Sequence, residues 1–598
     1  MRRIAFMGIV GAAIAASVVI ACGHKSGFEP SDNGSFTLDA SVTPDTPVCG
    51  RQCSIDGRSV IDGCTGETVE TCSDDQACGA AVCQEPCAAA AAEQSSNGCE
   101  FYLQEPLYSK SFGQSCYAAF IVNTSNRPVD FTLERDGTVL DISKAVVSTK
   151  PGDSTLIPHE GPIAPGESVI VFVSDRGANG PVVKVLGATP IACPTGIVAA
   201  SYAYPGPDGT GVGPSFHLKS SLPVALASIY PYGGALSFLP SATLHLPVTS
   251  WAKENILING WEGYYNSGYH PWPGAQIVAS DDTDLTIVPT RDVQDGEGIV
   301  GTPAHVPATY HLAKGQYLQI AQEAELSGTL LYATKPVGVF GGHTAPWVPT
   351  SSCCADILNQ QIPAFEQWGN EYVGVGYRPR LGNEAELMPY RIVAARDGTK
   401  LDYDPTIPAG APTTLSAGEV ATFVAPTGAP FVVRTQDADH PIYVAAYMSS
   451  GNGGGLVGAQ SFGGRGDPEF VNVIPAGQYL NSYSFFADPT YDETSLVVVR
   501  QKTNGKFEDV WLECADNLTG FKPVGTRGEF EWMRVDLTRN HGPGQAFDHS
   551  QCTSGLQRMH SAGPFTATIW GWASYASYAY PGGMAQRKLV PNALPPVH

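Results

Sequence analysis

Residues 335–373 read KPVGVFGGHTAPWVPTSSCCADILNQQIPAFEQWGNEYV: an apolar strand behind Pro336, a loop from Gly341 to Cys354, and a second strand that halts at Pro363 and resumes near Tyr372. Pieces like these return in the same order along most of the chain. An opening strand ends in proline at Pro106, Pro247, Pro363 and Pro475, which stand 141, 116 and 112 residues apart. A closing strand follows proline at Pro223, Pro336, Pro441 and Pro564, which stand 113, 105 and 123 residues apart. Two independent landmarks give nearly one period, so the body consists of four internal copies of about 110 residues.

Inside each copy the apolar residues alternate with period two, the mark of strands rather than helices. Hairpin-like stretches recur: VDFTLERDGTVLDI around Gly137, IVASDDTDLTIV around Asp282, YRIVAARDGTKLDYD around Gly398, and LVVVRQKTNGKFEDVWLE around Gly505. Asp-Gly and Asn-Gly suit tight hairpin turns because both central residues need positive φ. Further strands are entered through glycine turns at Gly166, Gly315 and Gly418. With 66 Gly, 47 Pro and only 15% charged residues, many short strands joined by turns are expected. The fold class is therefore all-β, with four antiparallel repeats. Each repeat reads as a complete unit, which favours tandem β-sandwiches; the uninterrupted succession of four keeps a propeller-like ring as the alternative.

The N-terminus, MRRIAFMGIVGAAIAASVVIAC, has two arginines and then an apolar run from Ile4 to Ile20, the pattern of an export signal. Its ending, Val19-Ile20-Ala21-Cys22, predicts cleavage before Cys22 and lipid attachment to that cysteine; the competing reading is an ordinary signal with a chance cysteine. Several acyl chains on Cys22 would hold the protein firmly on a membrane. No later apolar stretch is long enough for a spanning helix. Loss of residues 1–21 removes Arg2 and Arg3 and no acid, so the mature chain is two charges more negative than the −23 of the full sequence. Such a surface disfavours nucleic acid as a partner.

Of 15 cysteines, setting Cys22 aside leaves an even number, which in an exported chain predicts full pairing. Cys49, Cys53, Cys64, Cys72, Cys78, Cys83, Cys87 and Cys99 fall in one short stretch, a knob stapled by disulfides around too little core. Zinc is the alternative there, but the cluster holds no histidine. Cys87 to Glu93 is alanine-rich and predicts a short helix stopped by Ser95-Ser96-Asn97-Gly98. The remaining cysteines, Cys116, Cys193, Cys353, Cys354, Cys514 and Cys552, are also expected in disulfides. The chain thus divides into a lipoprotein signal peptide over 1–21, a lipid anchor and flexible tether over 22–48, the knob and helix over 49–99, β units over 100–240, 241–354, 355–467 and 468–585, and a tail over 586–598.

Several residues invite a chemical role. His343 ends a strand beside two glycines but has no matched ligands nearby, which favours structural use. Adjacent Cys353 and Cys354 could act as a redox switch, since an eight-membered ring is strained, with a plain structural role as the alternative. Asp281, Asp282 and Asp284 in an acidic turn could bind calcium, against the simpler reading of a solvated hairpin tip. Otherwise no cofactor is expected. Trp261, Tyr264, Tyr265 and Trp272 could form a stacking platform for sugar rings or merely fill a local core. Arg465-Gly466-Asp467 follows a glycine-rich run that should display it on an exposed loop. There is no G-x-S-x-G elbow, H-E-x-x-H zinc pair, P-loop or dinucleotide fingerprint.

PVGVFGGH, the loop containing Asp356, then QIPAFEQWGNEYV and YRIVAARDGT, resemble the N-terminal domain of IgGFc-binding protein, a family with many exported bacterial members. The resemblance runs over most of Phe101 to Gly583, including the closing ASYASYAYPGG, and the knob is similar to cysteine-rich leaders of myxobacterial lipoproteins. It implies a surface or secreted binding and adhesion module, with His343 and Asp356 in the family-motif loop. Family members often carry a cysteine shortly after the GGH-type histidine; His343-Thr344-Ala345 lacks it. That departure implies either a vicinal Cys353–Cys354 disulfide or pairing of each with a distant cysteine. Cys116 with Cys193 and Cys514 with Cys552 are the body bridges expected beside it.

The sequence therefore reads as a noncatalytic binding and adhesion protein, lipid-anchored at the bacterial outer membrane or cell surface. It would present loops of a repeated β scaffold to an extracellular protein or glycan. The alternative is an exported hydrolase of polysaccharide or protein that uses an unrecognised carboxylate pair.

Overall fold

A computed structural model describes residues 50–54, 56–107, 113–176, 190–202, 206–237, 239–264, 270–458 and 461–597. The signal peptide, Cys22, the tether, Cys49 and Tyr265 lie outside the described residues. Among the described residues strand dominates, with one α-helix and a few 3₁₀ turns.

Four hairpins carry the repeat. Strand β1 (Phe216–Tyr230) pairs with β2 (Ser241–Leu244), β3 (Leu330–His343) with β4 (Leu358–Ile362), β5 (Ile442–Met448) with β6 (Glu469–Asn472), and β7 (Gly555–Ala573) with β8 (Ala576–Pro581), all antiparallel. The closing strand of each of the first three copies is thus hydrogen-bonded to the strand that opens the next, and β8 takes that place after the fourth. Around each hairpin the remaining strands complete the sheets: nine strands about β1, eight about β3, two four-stranded sheets in the third copy, and nine about β7.

The second strands of the hairpins meet. β2 packs against β4 and β8, and β6 packs against the same two, which closes a ring of four. These strands form no ladder with one another, so side-chain amides bridge them instead. Gln360 Nε2 donates to Ala242 O at 2.8 Å and to Ala579 O at 3.0 Å. Gln361 Oε1 accepts from Leu246 N at 2.7 Å, and Asn472 Nδ2 donates to Gln361 O at 2.8 Å. A buried polar group is tolerated when it is paired, and these amides replace main-chain rungs where four strands abut edge-on. The body is accordingly a closed ring rather than beads on a string. Its cores cross the repeats, as where Phe120 of the first copy meets Phe486 of the fourth at 4.7 Å.

The prolines that mark the period start a shared corner. After Pro247, Pro363 and Pro475 come 3₁₀ turns, Val248–Ser250, Phe365–Gln367 and Ala476–Gln478, each followed by a buried aromatic: Trp251, Trp368 or Tyr479. Trp251 Nε1 donates to Leu246 O and Trp368 Nε1 to Pro363 O, both at 3.1 Å, so the ring folds back over the strand it follows. Asp136-Gly137 and Asn504-Gly505 both have positive φ at the two residues, as tight hairpin turns require.

The knob has a three-stranded sheet, Arg51–Cys53, Ser59–Asp62 and Thr68–Thr71, and a hairpin of Ala77–Gly79 with Val82–Gln84. Helix α1 (Pro86–Glu93) begins one residue earlier than the alanine run predicts, with Pro86 in its first turn and the Glu85 carboxylate accepting from Ala88 N. It ends at left-handed Gln94, before the Ser-Ser-Asn-Gly stretch. A side chain at Gly79 would collide with the main chain of Ala89, so glycine lets the hairpin seat against α1. Disulfides join Cys53 to Cys78, Cys72 to Cys83 and Cys87 to Cys99. Cys64 is also bridged. In the body, Cys116 joins Cys193 and Cys514 joins Cys552.

The expectation of full cysteine pairing fails. Cys353 and Cys354 are free thiols, neither closed on one another nor joined to a distant partner. Among the described residues every other cysteine is already bridged, and adjacent Cα atoms stand about 3.8 Å apart, under the usual span of a disulfide. The even cysteine count therefore overstates the number of bridges.

Candidate functional site

The four hairpin loops spring from one end of the ring, because the starts of β2, β4, β6 and β8 are tied together there. Ser577 N, at the start of β8, donates to Asp356 Oδ2 just before β4 at 2.9 Å. Asp467 N, before β6, donates to Ser577 Oγ at 2.9 Å, and Ser241 Oγ, at the start of β2, donates to Glu469 Oε1 at 3.3 Å. Three carboxyl groups consequently sit in the sealed hub, with Asp356 and Glu469 at 0% exposure and Asp467 at 1%. Burial pushes the Asp467 carboxyl up to about 8. Burial also raises Asp356 well above the carboxylate range, and the neighbouring Asp467 and Glu469 charges add to it; burial raises Glu469 in the same direction. Burial therefore favours the protonated form of all three, and they act as packing and hydrogen-bonding groups. A substrate cannot reach them.

The loop between β5 and β6, residues 449–468, is pinned by Arg380. Its Nε and main-chain N donate to Glu386 at 2.8 and 2.7 Å, its Nη1 to Ser449 O and Arg465 O, and its Nη2 to Ser449 Oγ. The guanidinium also lies 3.6 Å from the Phe462 ring centroid. An arginine fork serves such planar, many-point bracing well. Arg465-Gly466-Asp467 therefore does not project as an exposed loop. Arg465 is exposed, but its Nη1 donates to Arg380 O at 2.9 Å, and Asp467 is sealed in the hub accepting from Gly451 N at 2.7 Å. The glycine-rich run makes a close-packed seam rather than a displayed tripeptide.

Across that seam lies the loop between β3 and β4, residues 344–357. Ser450 N donates to Val348 O, Ser450 Oγ donates to Cys354 O at 2.9 Å, and Cys353 forms an antiparallel bridge with Asn452. Asn452 Nδ2 lies 3.3 Å from Cys353 Sγ and 3.9 Å from Cys354 Sγ. Burial holds the Cys354 thiol well above its ordinary range, and the neighbouring thiol adds to this.

Beside these loops is an aromatic surface of different membership from that expected. Trp261 is core: 3% exposed, edge-on to Tyr447 at 4.9 Å, with the Arg391 guanidinium over its face at 5.2 Å. Tyr264 is half-buried and stacks on Trp347 at 4.8 Å, its hydroxyl donating to Ala345 O. Trp272, also half-buried, stacks on exposed His270 at 4.5 Å. Thr344 braces the second stack, since its Oγ1 donates to His270 O and accepts from Trp272 N. Glu262 is exposed nearby and accepts from Thr350 Oγ1 at 3.0 Å. Trp347 was missed because it stands some 80 positions from Tyr264, with only its place in a loop of the repeated unit to mark it.

The remaining candidates are placed as follows. His343 is fully buried at the end of β3, its Nδ1 accepting from Ala345 N at 3.2 Å and its Nε2 donating to Glu262 O at 3.3 Å. Burial pulls its pKa down to about 3, so it is a neutral bracket between two loops. Asp281, Asp282 and Asp284 are exposed on their turn; Asp282 accepts from Lys314 N, and Asp284 faces His311 Nδ1 at 2.9 Å. Among the described residues no group of three or more His, Cys, Asp or Glu side chains is placed to hold a metal ion.

The sequence family described as IgGFc binding protein matches residues 241–571, more than half of the chain. The match opens on the first residue of β2 and ends in β7, so the knob, the first copy and β8 lie outside it. No curated protein and no solved structure matches the chain.

Proposed function

The chain belongs to the IgGFc binding protein family, and on that premise we propose that it is a noncatalytic, lipid-anchored surface protein whose hairpin loops hold an extracellular protein or glycan. The observation that carries this reading is the gathering of four hairpin loops at one end of a closed ring, beside the half-exposed Tyr264 and Trp347. A stiff β scaffold presenting loops is a common way to build a recognition surface, and aromatic rings with one free face suit both protein and sugar partners. Loop lengths differ widely, from residues 449–468 down to Ser574-Tyr575, so the face is uneven. The carboxyl groups nearest the loops are sealed, which supports holding a ligand rather than cleaving it. Among the described residues no helix is long and apolar enough to cross a membrane, which accords with attachment through lipid on Cys22.

The test is retention on the mature, oxidised protein of immunoglobulin Fc, outer-surface protein fractions and outer-surface polysaccharide, with and without a calcium chelator, analysing the bound material for cleavage. Saturable retention of an intact protein or glycan is expected, and the fraction retained names the class. Cleaved ligand would turn the reading to an exported hydrolase, and no saturable retention of any fraction would leave a structural envelope protein. Loss of retention on chelation would bring calcium into the site.

A further inference from the structure

Cys353 and Cys354 are the only unbridged cysteines among the described residues of a chain otherwise rich in disulfides. Both are partly exposed, so small reagents can reach them. Both sulfurs lie against one amide nitrogen, Asn452 Nδ2, which is 3.3 Å from the first and 3.9 Å from the second. Cys354 also has φ of +79°, a left-handed backbone that non-glycine residues adopt at a cost. The local chain is therefore already bent away from an ordinary extended loop where the two sulfurs face one neighbour.

A bond between adjacent cysteines closes an eight-membered ring across a Cα separation of about 3.8 Å, shorter than the roughly 4.4 Å at which relaxed bridges begin. Strain of that kind makes a disulfide easy to reduce, the property that separates exchangeable from structural bridges. We infer that Cys353 and Cys354 form a reversible thiol–disulfide exchange site whose substrate is a low-molecular-weight disulfide. The Cys353 thiol, as its thiolate, attacks one sulfur of the small disulfide; the S–S bond breaks, a mixed disulfide forms on Cys353, and one thiol leaves with the proton. Cys354 then attacks Cys353 Sγ, the vicinal bond forms, and the second thiol leaves. Two electrons pass from the pair to the small disulfide, which is reduced to two thiols.

Burial makes Cys354 the poorer nucleophile, which puts the first attack at Cys353. The site lies on the seam between residues 344–357 and 449–468. Closing the ring draws the sulfurs out of the contact with Asn452 and alters the bridge between Cys353 and that residue. The redox state of the pair thereby sets how firmly two hairpin loops are clasped.

The experiment equilibrates the folded mature protein in glutathione buffers of graded thiol-to-disulfide ratio, traps thiols by alkylation after denaturation, and weighs the peptide containing both residues. At the reducing end both cysteines are expected to be alkylated while the other bridges stay closed. At the oxidising end both should be lost together, with the peptide lighter by two hydrogens. Cys354→Ser should halt the reaction at a glutathione adduct on Cys353. Asn452→Ala, which removes a donor to the reduced sulfurs, should shift the midpoint ratio about threefold towards the disulfide. Thiols that persist at the oxidising end, a stable glutathione adduct on the unaltered protein, or reaction only after unfolding would each overturn the inference.

Discussion

The side chain of Gln478 donates to the main-chain oxygen of Gln367 at 3.0 Å, and that of Gln367 donates in the same way to Ser250 at 2.6 Å. All three residues close a 3₁₀ turn at the same place in successive copies. Ala585 N continues the relay by donating to Gln478 O at 2.9 Å. The C-terminal segment thereby supplies the fourth member, and Gln586 N meets Gln94 O at the end of α1. The end of the ring away from the hairpin loops is thus laced by equivalent contacts.

Gln478 is fully buried and serves three partners, Gln367 O, Arg587 O and Arg587 N. Gln478→Ala leaves those groups unpaired in the interior, a loss of about 1–3 kcal/mol for each that finds no water. The urea midpoint should fall with little change in slope, since the exposed surface on unfolding is unaltered. An unchanged midpoint would show that the relay contributes nothing.

The sealed acids set a pH dependence. Asp467 has its folded value raised from 3.8 to about 8, so between those limits the folded state binds the extra proton and stability declines as pH rises. Asp356 and Glu469 act in the same direction. His343 and His245, pulled from 6.5 down to about 3, act oppositely, but only below about pH 6.5. Above that point the acids stand unopposed by these histidines. Thermal unfolding should therefore shift to lower temperature from about pH 6.5 to about pH 8, and Asp467→Asn, which keeps the acceptor for Gly451 N, should flatten the change. A slope that survives the substitution would remove Asp467 as its source.

The period of about 110 residues, the all-β class and the glycine turns were legible because each rests on local rules: apolar alternation, a proline stop, and positive φ at Asp136-Gly137 or Asn504-Gly505. Closure into a ring was not, since it depends on Gln360 meeting Ala242 and Ala579 across hundreds of positions. Two glutamines in an apolar strand were the available signal that β4 is bridged by side chains. For Trp261 the sequence left platform and core both open, because Arg391 and Tyr447, which cover it, come from the third copy. The Arg-Gly-Asp tripeptide misled: a glycine-rich run can pack tightly as well as project, and here Arg380 draws it inward.

Arg380 and Glu386 form an ion pair with side chains at 0% and 1% exposure. Removing one partner of such a pair is costly because the other charge stays buried, about 3–5 kcal/mol. Glu386→Gln should lose much of that and free the loop that Arg380 braces. Limited trypsin digestion should then cut after Arg465 faster than it does in the parent protein. The parental rate of cutting in a stable variant would show that the loop is held without the pair.

The proposed attachment through Cys22 predicts a plain outcome in cells. Cys22→Ser should shift the exported protein from the membrane pellet to the soluble fraction, because the acyl chains that hold it are never added. Unchanged sedimentation with membranes would sink the anchor.

The aromatic surface separates binding from folding by two tryptophans. Trp347 stacks on Tyr264 with its own side chain only partly buried, whereas Trp261 is packed between Tyr447 and Arg391. Trp347→Ala should leave the urea midpoint within about 0.5 kcal/mol of the parent's stability and weaken retention of the captured ligand about tenfold or more, as loss of an aromatic anchor does. Trp261→Ala should cost about 3–5 kcal/mol of stability by opening a cavity, and any lost binding should track lost fold. If Trp347→Ala retains ligand at the parental affinity, recognition lies on another part of the loop end, and the seam around Asn452 becomes the next surface to alter.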